Sequence, residues 1–181
     1  MRAAFCRGVG RLVVQDVPRP TPGPGEVVVV ARRPQQKAAA LALGADRVID
    51  DGDPGGLLGD AADAPIDLVI ETVGGTADTL DTAAAACRPG GTICVLGAFT
   101  KSPPFPALFV LVKELRVIGS LVYGRAGARA DFDIVLDILR RQGRRIAETL
   151  VTHRFPLAEI GKAFATAADK TTGSIKVTVE A

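Results

Sequence analysis

Asp67-Leu68-Val69-Ile70-Glu71-Thr72-Val73-Gly74-Gly75, then Thr76–Cys87, then Arg88-Pro89-Gly90-Gly91-Thr92-Ile93-Cys94-Val95-Leu96-Gly97 decides the fold class. Leu68–Ile70 is a short, continuous apolar run, the kind that suits a strand covered on both faces. Gly74-Gly75 marks a turn. Thr76–Cys87 is Ala-rich and reads as a helix, stopped by Arg88-Pro89-Gly90-Gly91. Thr92–Gly97 is a second buried-type strand. Strand, helix and strand in so short a span make the crossover unit of a parallel sheet.

The alternation extends in both directions. Upstream, Val27–Val30 is another continuous β-branched run, and Pro34–Leu43 is an Ala-rich helix with Pro at its first turn and Gly44 as its stop. Arg47–Asp50 is a short strand and Asp51–Gly59 a Gly- and Asp-rich loop. Downstream, Phe105–Lys113 is a short helix and Leu115–Ser120 a strand. Ala130–Arg141 is a helix with Phe132, Val135, Leu136 and Leu139 on one face, ended by Gly143. Leu157–Ala168 is a further helix, and Ser174–Glu180 alternates as a strand should. At the front, Met1–Cys6 and Leu12–Val17 form a hairpin around Gly8 and Gly10. Pro18–Gly25, with alternate prolines, is an extended connector. The whole reads as an α/β protein around a mostly parallel sheet.

Composition narrows the function. The 181 residues are 48% hydrophobic and 23% charged, an ordinary globular balance long enough for a sizeable core. A net charge of +2 with scattered Lys and Arg gives no footprint for nucleic acid. Aromatic residues are only 4% with no Trp, so a stacking platform is not expected. No apolar run is long enough to span a bilayer, and the start has no secretion-signal pattern. Cys6, Cys87 and Cys94 carry no C-x-x-C spacing. They read as reduced thiols of a cytoplasmic protein. One histidine, His153, leaves little from which to build a triad or a His-rich metal centre.

Taken in order, several stretches resemble one family. Ala38–Asp50 is similar to the "A-x-x-L-G-A-D-x-V-I-D" stretch of medium-chain dehydrogenases/reductases, the zinc alcohol dehydrogenase-like superfamily. Asp67–Gly75 resembles its "D-V-V-x-E-x-V-G", Arg88–Gly97 its "R-P-G-G-x-x-x-x-x-G", and Lys113–Ser120 its "K-E-L-x-x-x-G-S". Leu150–Leu157 and Ala168–Val177 resemble the C-terminal return of its polyol and threonine dehydrogenase branch, a helix–strand remnant of the catalytic domain. Met1–Glu26 looks like its N-terminal hairpin. The resemblance implies a truncated doubly wound (Rossmann-like), mostly parallel sheet, divided into a hairpin and connector over 1–26, a nucleotide-binding-like part over 27–146, and a C-terminal return over 147–181.

The chain also departs from that family. The resemblance implies a barrel-like catalytic domain with a Cys and His-Glu zinc site after Pro-Gly-Glu-Val, then a first strand and a G-x-G-x-x-G turn. Here Glu26-Val27 runs directly into what looks like the second strand of the nucleotide-binding domain. Gly8-Val9-Gly10, Gly23-Pro24-Gly25 and Gly55–Gly59 do not replace the glycine turn. No zinc is therefore expected. In the family sheet order 3-2-1-4-5-6 the missing strand is the central one. The gap would be closed by direct pairing of Val27–Ala31 with Asp67–Thr72, by the hairpin, or by exchange with a second subunit.

Ligands of such sheets bind at the carboxyl ends of the strands. The resemblance places Thr72, Val73 and Gly74, and Leu96, Gly97, Ala98 and Phe99, along a nicotinamide cofactor, and Lys176 near its pyrophosphate. Arg32 and Arg33 stand where an acid selects NAD, which implies NADP. Tyr123, after a strand end, and His153, from its titration range, are candidate catalytic side chains. For each, the plain alternative is turn chemistry, packing or a solvated charge. The expected function is an NADP-preferring oxidoreductase acting on a small molecule, as a homodimer joined through Leu115–Ser120. A catalytically silent binding or dimerising scaffold, and a cofactor-independent enzyme using the strand-end crevice, stand as alternatives.

Overall fold

The computed structural model describes residues 2–6, 12–16, 25–50, 56–58, 65–122, 124–126 and 128–181, with 2–6, 12–16 and 126 described by backbone alone. The hairpin is formed by β1 (Arg2–Cys6) and β2 (Leu12–Asp16), antiparallel, with Arg2 opposite Asp16 and Cys6 opposite Leu12. The proline-rich connector lies outside the described residues except for Gly25.

The first βαβ unit follows as expected. It comprises β3 (Val28–Ala31), α1 (Pro34–Leu43) and β4 (Arg47–Asp50), with β3 and β4 parallel and Val28 opposite Arg47. Pro34 opens α1 because its missing N–H is not needed there. Gly44 closes it at φ 109°, a left-handed conformation that Gly adopts without steric cost. Residues 56–58 make a helical turn inside a stretch read as loop.

The second unit holds β5 (Ile66–Glu71), α2 (Leu80–Ala86), β6 (Cys87–Val95), α3 (Ala107–Val112) and β7 (Arg116–Gly119), with the parallel order β5-β6-β7. Two boundaries differ from the sequence reading. The helix begins at Leu80, not Thr76, because Gly74–Thr79 is spent on a turn tied to the strand ends. Strand β6 begins at Cys87, so Arg88–Gly91 is not only a helix stop. It is absorbed by an irregularity that shifts pairing from Ile66–Cys87 to Leu68–Thr92. Gly91 lies over the Cys87 thiol, where a Cβ would fall 2.5 Å from Sγ, which excludes larger residues.

Beyond β7, a small antiparallel ribbon, β8 (Arg125–Ala126) and β9 (Arg129–Ala130), leads into α4 (Asp131–Leu150). Gly143 does not stop α4. The apolar period resumes at Ile146 and Leu150, and Arg145 donates to the Ala42 carbonyl of α1 at 2.6 Å, so contacts outweigh the ~1 kcal/mol that Gly costs inside a helix. The chain closes with β10 (Val151–Pro156), α5 (Ile160–Ala168) and β11 (Lys176–Glu180). Strands β10 and β11 are parallel, with α5 packed on both.

The core lies in the second unit, where Ala83, Ala84, Cys87, Ile93 and Leu115 pack together. Lys113 holds this unit shut: its ammonium donates to the carbonyls of Ala84 (3.1 Å), Ala85 (2.6 Å) and Cys87 (2.9 Å) at the end of α2. A cation there satisfies orphan carbonyls and meets the negative end of the helix.

Neither the direct pairing nor the filling by the hairpin is present among the described residues. Among the described residues β3 pairs only with β4, β5 only with β6, and β1 and β2 only with each other. The parallel sheet is therefore two half-sheets, β4-β3 and β5-β6-β7. Direct pairing would need β3 to reach β5, yet each keeps an unpaired edge.

Candidate functional site

The carboxyl ends of β5 and β6 form one connected turn. Its hub is Glu71, the last residue of β5, 4% exposed. Its Oε1 accepts the Val73 N–H (2.8 Å), the Gly74 N–H (3.1 Å) and the Thr79 hydroxyl (2.9 Å). The Glu71 carbonyl accepts the N–H groups of Leu96 (2.8 Å) and Gly97 (3.0 Å). The Gly75 N–H donates to the Ala98 carbonyl at 2.8 Å, and the Thr100 N–H to the Gly75 carbonyl at 2.9 Å, so Gly75 and Phe99 run side by side.

Two glycines permit this closeness. Gly74, at φ 59°, lies so near the other loop that a Cβ would fall 2.6 Å from the Ala98 nitrogen. Gly97 lies against Gly74 and the Glu71 carboxylate, where a Cβ would clash with both. The second oxygen, Oε2 of Glu71, is buried and has no hydrogen-bond partner among the described residues. Buried polar atoms are rarely left so.

This turn unites Thr72, Val73, Gly74, Leu96, Gly97, Ala98 and Phe99, all expected from the sequence at one crevice. Thr72, Val73, Leu96 and Ala98 are exposed there. Glu71 and Thr79, which with Gly75 hold the crevice in shape, are not among the candidates drawn from the sequence. The signal was present: an acid closing an apolar strand immediately before a Gly-Gly turn has two backbone donors within its reach.

The other expected residues lie elsewhere. Arg32 and Arg33 follow β3 in the other half-sheet. Arg32 is exposed. The Arg33 guanidinium donates to the Lys170 carbonyl at 2.6 Å, which ties α1 to the C-terminal unit. Lys176 opens β11 with its side chain exposed, and its carbonyl accepts the Thr152 hydroxyl at 3.2 Å. His153 is on β10, with Nδ1 3.0 Å from the Thr152 hydroxyl. Tyr123 lies outside the described residues.

Among the described residues no group of three or more His, Cys, Asp or Glu side chains could hold a metal. The Cys87 thiol is buried against Ile93 and directed at the Thr92 carbonyl (3.7 Å), and burial pushes its titration above the ordinary thiol range. No described helix is long and apolar enough to cross a membrane.

Solved structures share this fold. An alcohol dehydrogenase from Escherichia coli, complexed with NADH, superposes with a TM-score of 0.70 at 21% identity, over 86% of this chain and 44% of its own. The 2R,3R-butanediol dehydrogenase of Bacillus subtilis gives 0.68 at 21% identity, over 86% and 44%. The alcohol dehydrogenase of a Thermus species gives 0.65 at 28% identity, over 87% and 45%. The chain thus spans less than half the length of these structures. Its α/β fold with parallel strands is theirs, and the nucleotide-binding-like reading of the sheet agrees with it. The family model for zinc-binding dehydrogenases matches residues 8–144, and the chain belongs to that family.

Proposed function

We propose that this chain binds a nicotinamide dinucleotide, NADP(H) in preference to NAD(H), at the carboxyl ends of its strands, and serves an oxidoreductase reaction on a small molecule. One observation carries the reading. Thr72–Gly74 and Leu96–Phe99 are locked edge to edge by Glu71, with Gly at the two positions of closest approach. Such a rim of exposed backbone and small side chains gives a flat ligand close access, and its shape is set before the ligand arrives.

In this reading Thr72, Val73, Leu96 and Ala98 line the cofactor, and Gly74, Gly97 and Phe99 shape the rim. Arg32 reads the 2′-phosphate, with Arg33 beside it holding the end of β3 to the C-terminal unit. Lys176 lends positive charge. When bound, the cofactor supplies hydride. This chain's residues bind and orient it, and no step passes through a metal. The nucleotide-binding part is 27–146, flanked by the 1–26 hairpin segment and the 147–181 return, and the protein works in the cytoplasm.

The test is a titration with NADPH, and with NADH as control, followed by nicotinamide fluorescence. Saturable NADPH binding, tighter than NADH and weakened by Arg32→Ala, is expected. A folded protein that binds neither cofactor overturns the reading.

A second reading rests on the opposite edge. Among the described residues strand β7 has no partner beyond β6, and Ile118, Leu121 and Val122 are exposed, as are Leu108 and Leu111 of α3. This surface suits a homodimer joined edge to edge through β7, whether or not the cofactor site is active. Sedimentation should show a dimer that Ile118→Lys dissociates; a wild-type monomer at all concentrations contradicts it.

A further inference from the structure

We infer that the cavity between β3, α1 and the end of α4 is a binding site for a small, uncharged, largely apolar molecule with one hydrogen-bond-accepting oxygen, the chemistry of a ketone or an ester. The inference is independent of the cofactor reading. The cavity measures about 450 Å³ and is walled by Val29 of β3, Ala39 and Leu43 of α1, Leu150 of α4 and Ile175. That volume falls in the range of small-molecule sites. The α1 residues that line it, with Gln36 and Ala40 among them, recur at the spacing of one helix face. None of the residues of the Thr72–Phe99 crevice takes part.

The lining selects the ligand. No charged side chain lines the cavity, so the phosphates of a dinucleotide find no partner there. Apolar walls offer water few hydrogen bonds and favour an apolar occupant. Gln36 is the one polar side chain in the lining. Its orientation follows from its neighbour, because Oε1 accepts the Arg33 N–H at 3.2 Å. A backbone N–H only donates, so the amide oxygen must be the atom at that contact. The amide nitrogen, Nε2, is left to donate, and among the described residues no acceptor meets it. An oxygen on the ligand is the acceptor this donor fits.

Two long-range bonds hold the walls in place before a ligand arrives. The Arg145 guanidinium donates to the Ala42 carbonyl at 2.6 Å, which ties α4 to α1. The Arg33 guanidinium donates to the Lys170 carbonyl at 2.6 Å, which ties the start of α1 to the C-terminal unit that carries Ile175. A ligand enters a cavity braced in this way without having to order its walls, so binding carries little conformational cost.

The probe is prodan, a neutral naphthyl ketone whose emission moves to the blue in apolar surroundings. The control is dimethylaminonaphthalene, the same ring system without the ketone. Titration of the folded protein should show saturable, blue-shifted binding of prodan, about fivefold tighter than the control, the worth of one uncharged hydrogen bond. Gln36→Leu should erase that difference and leave the affinity for the control unchanged. Ala40→Phe, at a half-buried lining position, should fill the cavity and abolish binding of both dyes with far-ultraviolet circular dichroism unchanged. Hydrogen exchange of the wild-type protein locates the dye without any variant: prodan should slow exchange in α1 and leave the turn around Glu71 as it was. Saturating NADPH should not displace the dye, whether or not NADPH itself binds. No saturable binding of prodan by folded protein overturns the inference. So does equal affinity for the two dyes, binding that survives a folded Ala40→Phe variant, or exchange in α1 that the dye does not slow. Displacement by NADPH would place the dye in the crevice, and overturns the inference while leaving the cofactor reading intact.

Discussion

Ile93 of β6 and Val30 of β3 are both β-branched apolar residues of parallel strands and end in opposite states. Ile93, in the middle of β6, is 1% exposed, while Val30, in the middle of β3, is 45% exposed. Strand β6 has a partner on each side and α2 over it; β3 has a partner on one side. Burial here is a property of neighbours rather than of sequence. The buried cluster lies around β6, and among the described residues β3 has a strand on one side only.

That contrast can be broken by mutation. The largest effect belongs to Ile93→Ala, which should cost about 3–4 kcal/mol in urea unfolding, since it empties a filled core. Val30→Ala should cost well under about 1 kcal/mol, as a side chain already half in water loses little. Equal losses at the two positions would mean that β3 is as buried as β6.

Next in size is Glu71→Ala. It strips the acceptor from two backbone N–H groups and the Thr79 hydroxyl, and should cost about 2–3 kcal/mol and weaken NADPH binding. Glu71→Gln keeps an acceptor oxygen and removes a buried charge whose second oxygen has no donor. It should stay within about 1 kcal/mol of wild type. A Gln variant as damaged as the Ala variant would show that the charge itself holds the turn.

Lys113→Met keeps the stem and removes the donor to three carbonyls at the end of α2. A loss of about 2 kcal/mol is expected by thermal unfolding, confined to the second unit. No loss would mean that water serves those carbonyls equally well.

The smallest effect concerns Cys87. Burial raises its folded titration, so the thiol contributes stability below the unfolded thiol range and that contribution is lost as pH climbs through the folded value. Unfolding midpoints should fall slightly above about pH 9, and less in Cys87→Ala. Iodoacetamide should label Cys87 only as the second unit opens; prompt labelling in native buffer would contradict its burial.

Much of this was legible in the sequence because local rules agree with the fold. Pro34 and Gly44 bracket α1 to the residue, and the apolar run Val27–Val30 and the short stretch Arg47–Asp50 correspond to the parallel strands β3 and β4. The strand-end crevice was also legible, since Thr72–Gly74 and Leu96–Phe99 each follow a strand. What sequence could not supply was tertiary. Gly143 has helix-stopping chemistry, but a contact with α1 and a resumed apolar face carry α4 past it. Lys113 looks like an ordinary surface charge until the fold turns it onto three carbonyls. The bond from Arg33 to the Lys170 carbonyl joins segments far apart in sequence. Strand pairing is likewise a long-range event that no local pattern specifies.

Hydrogen exchange of the free protein, read residue by residue, tests the divided sheet most directly. A divided sheet gives strong protection through β6, bonded on both sides, and rapid exchange at those amides of β3 and β5 that bond to no described strand. Protection of those amides equal to that of β6 would mean that the two half-sheets are joined, and would contradict the architecture described above.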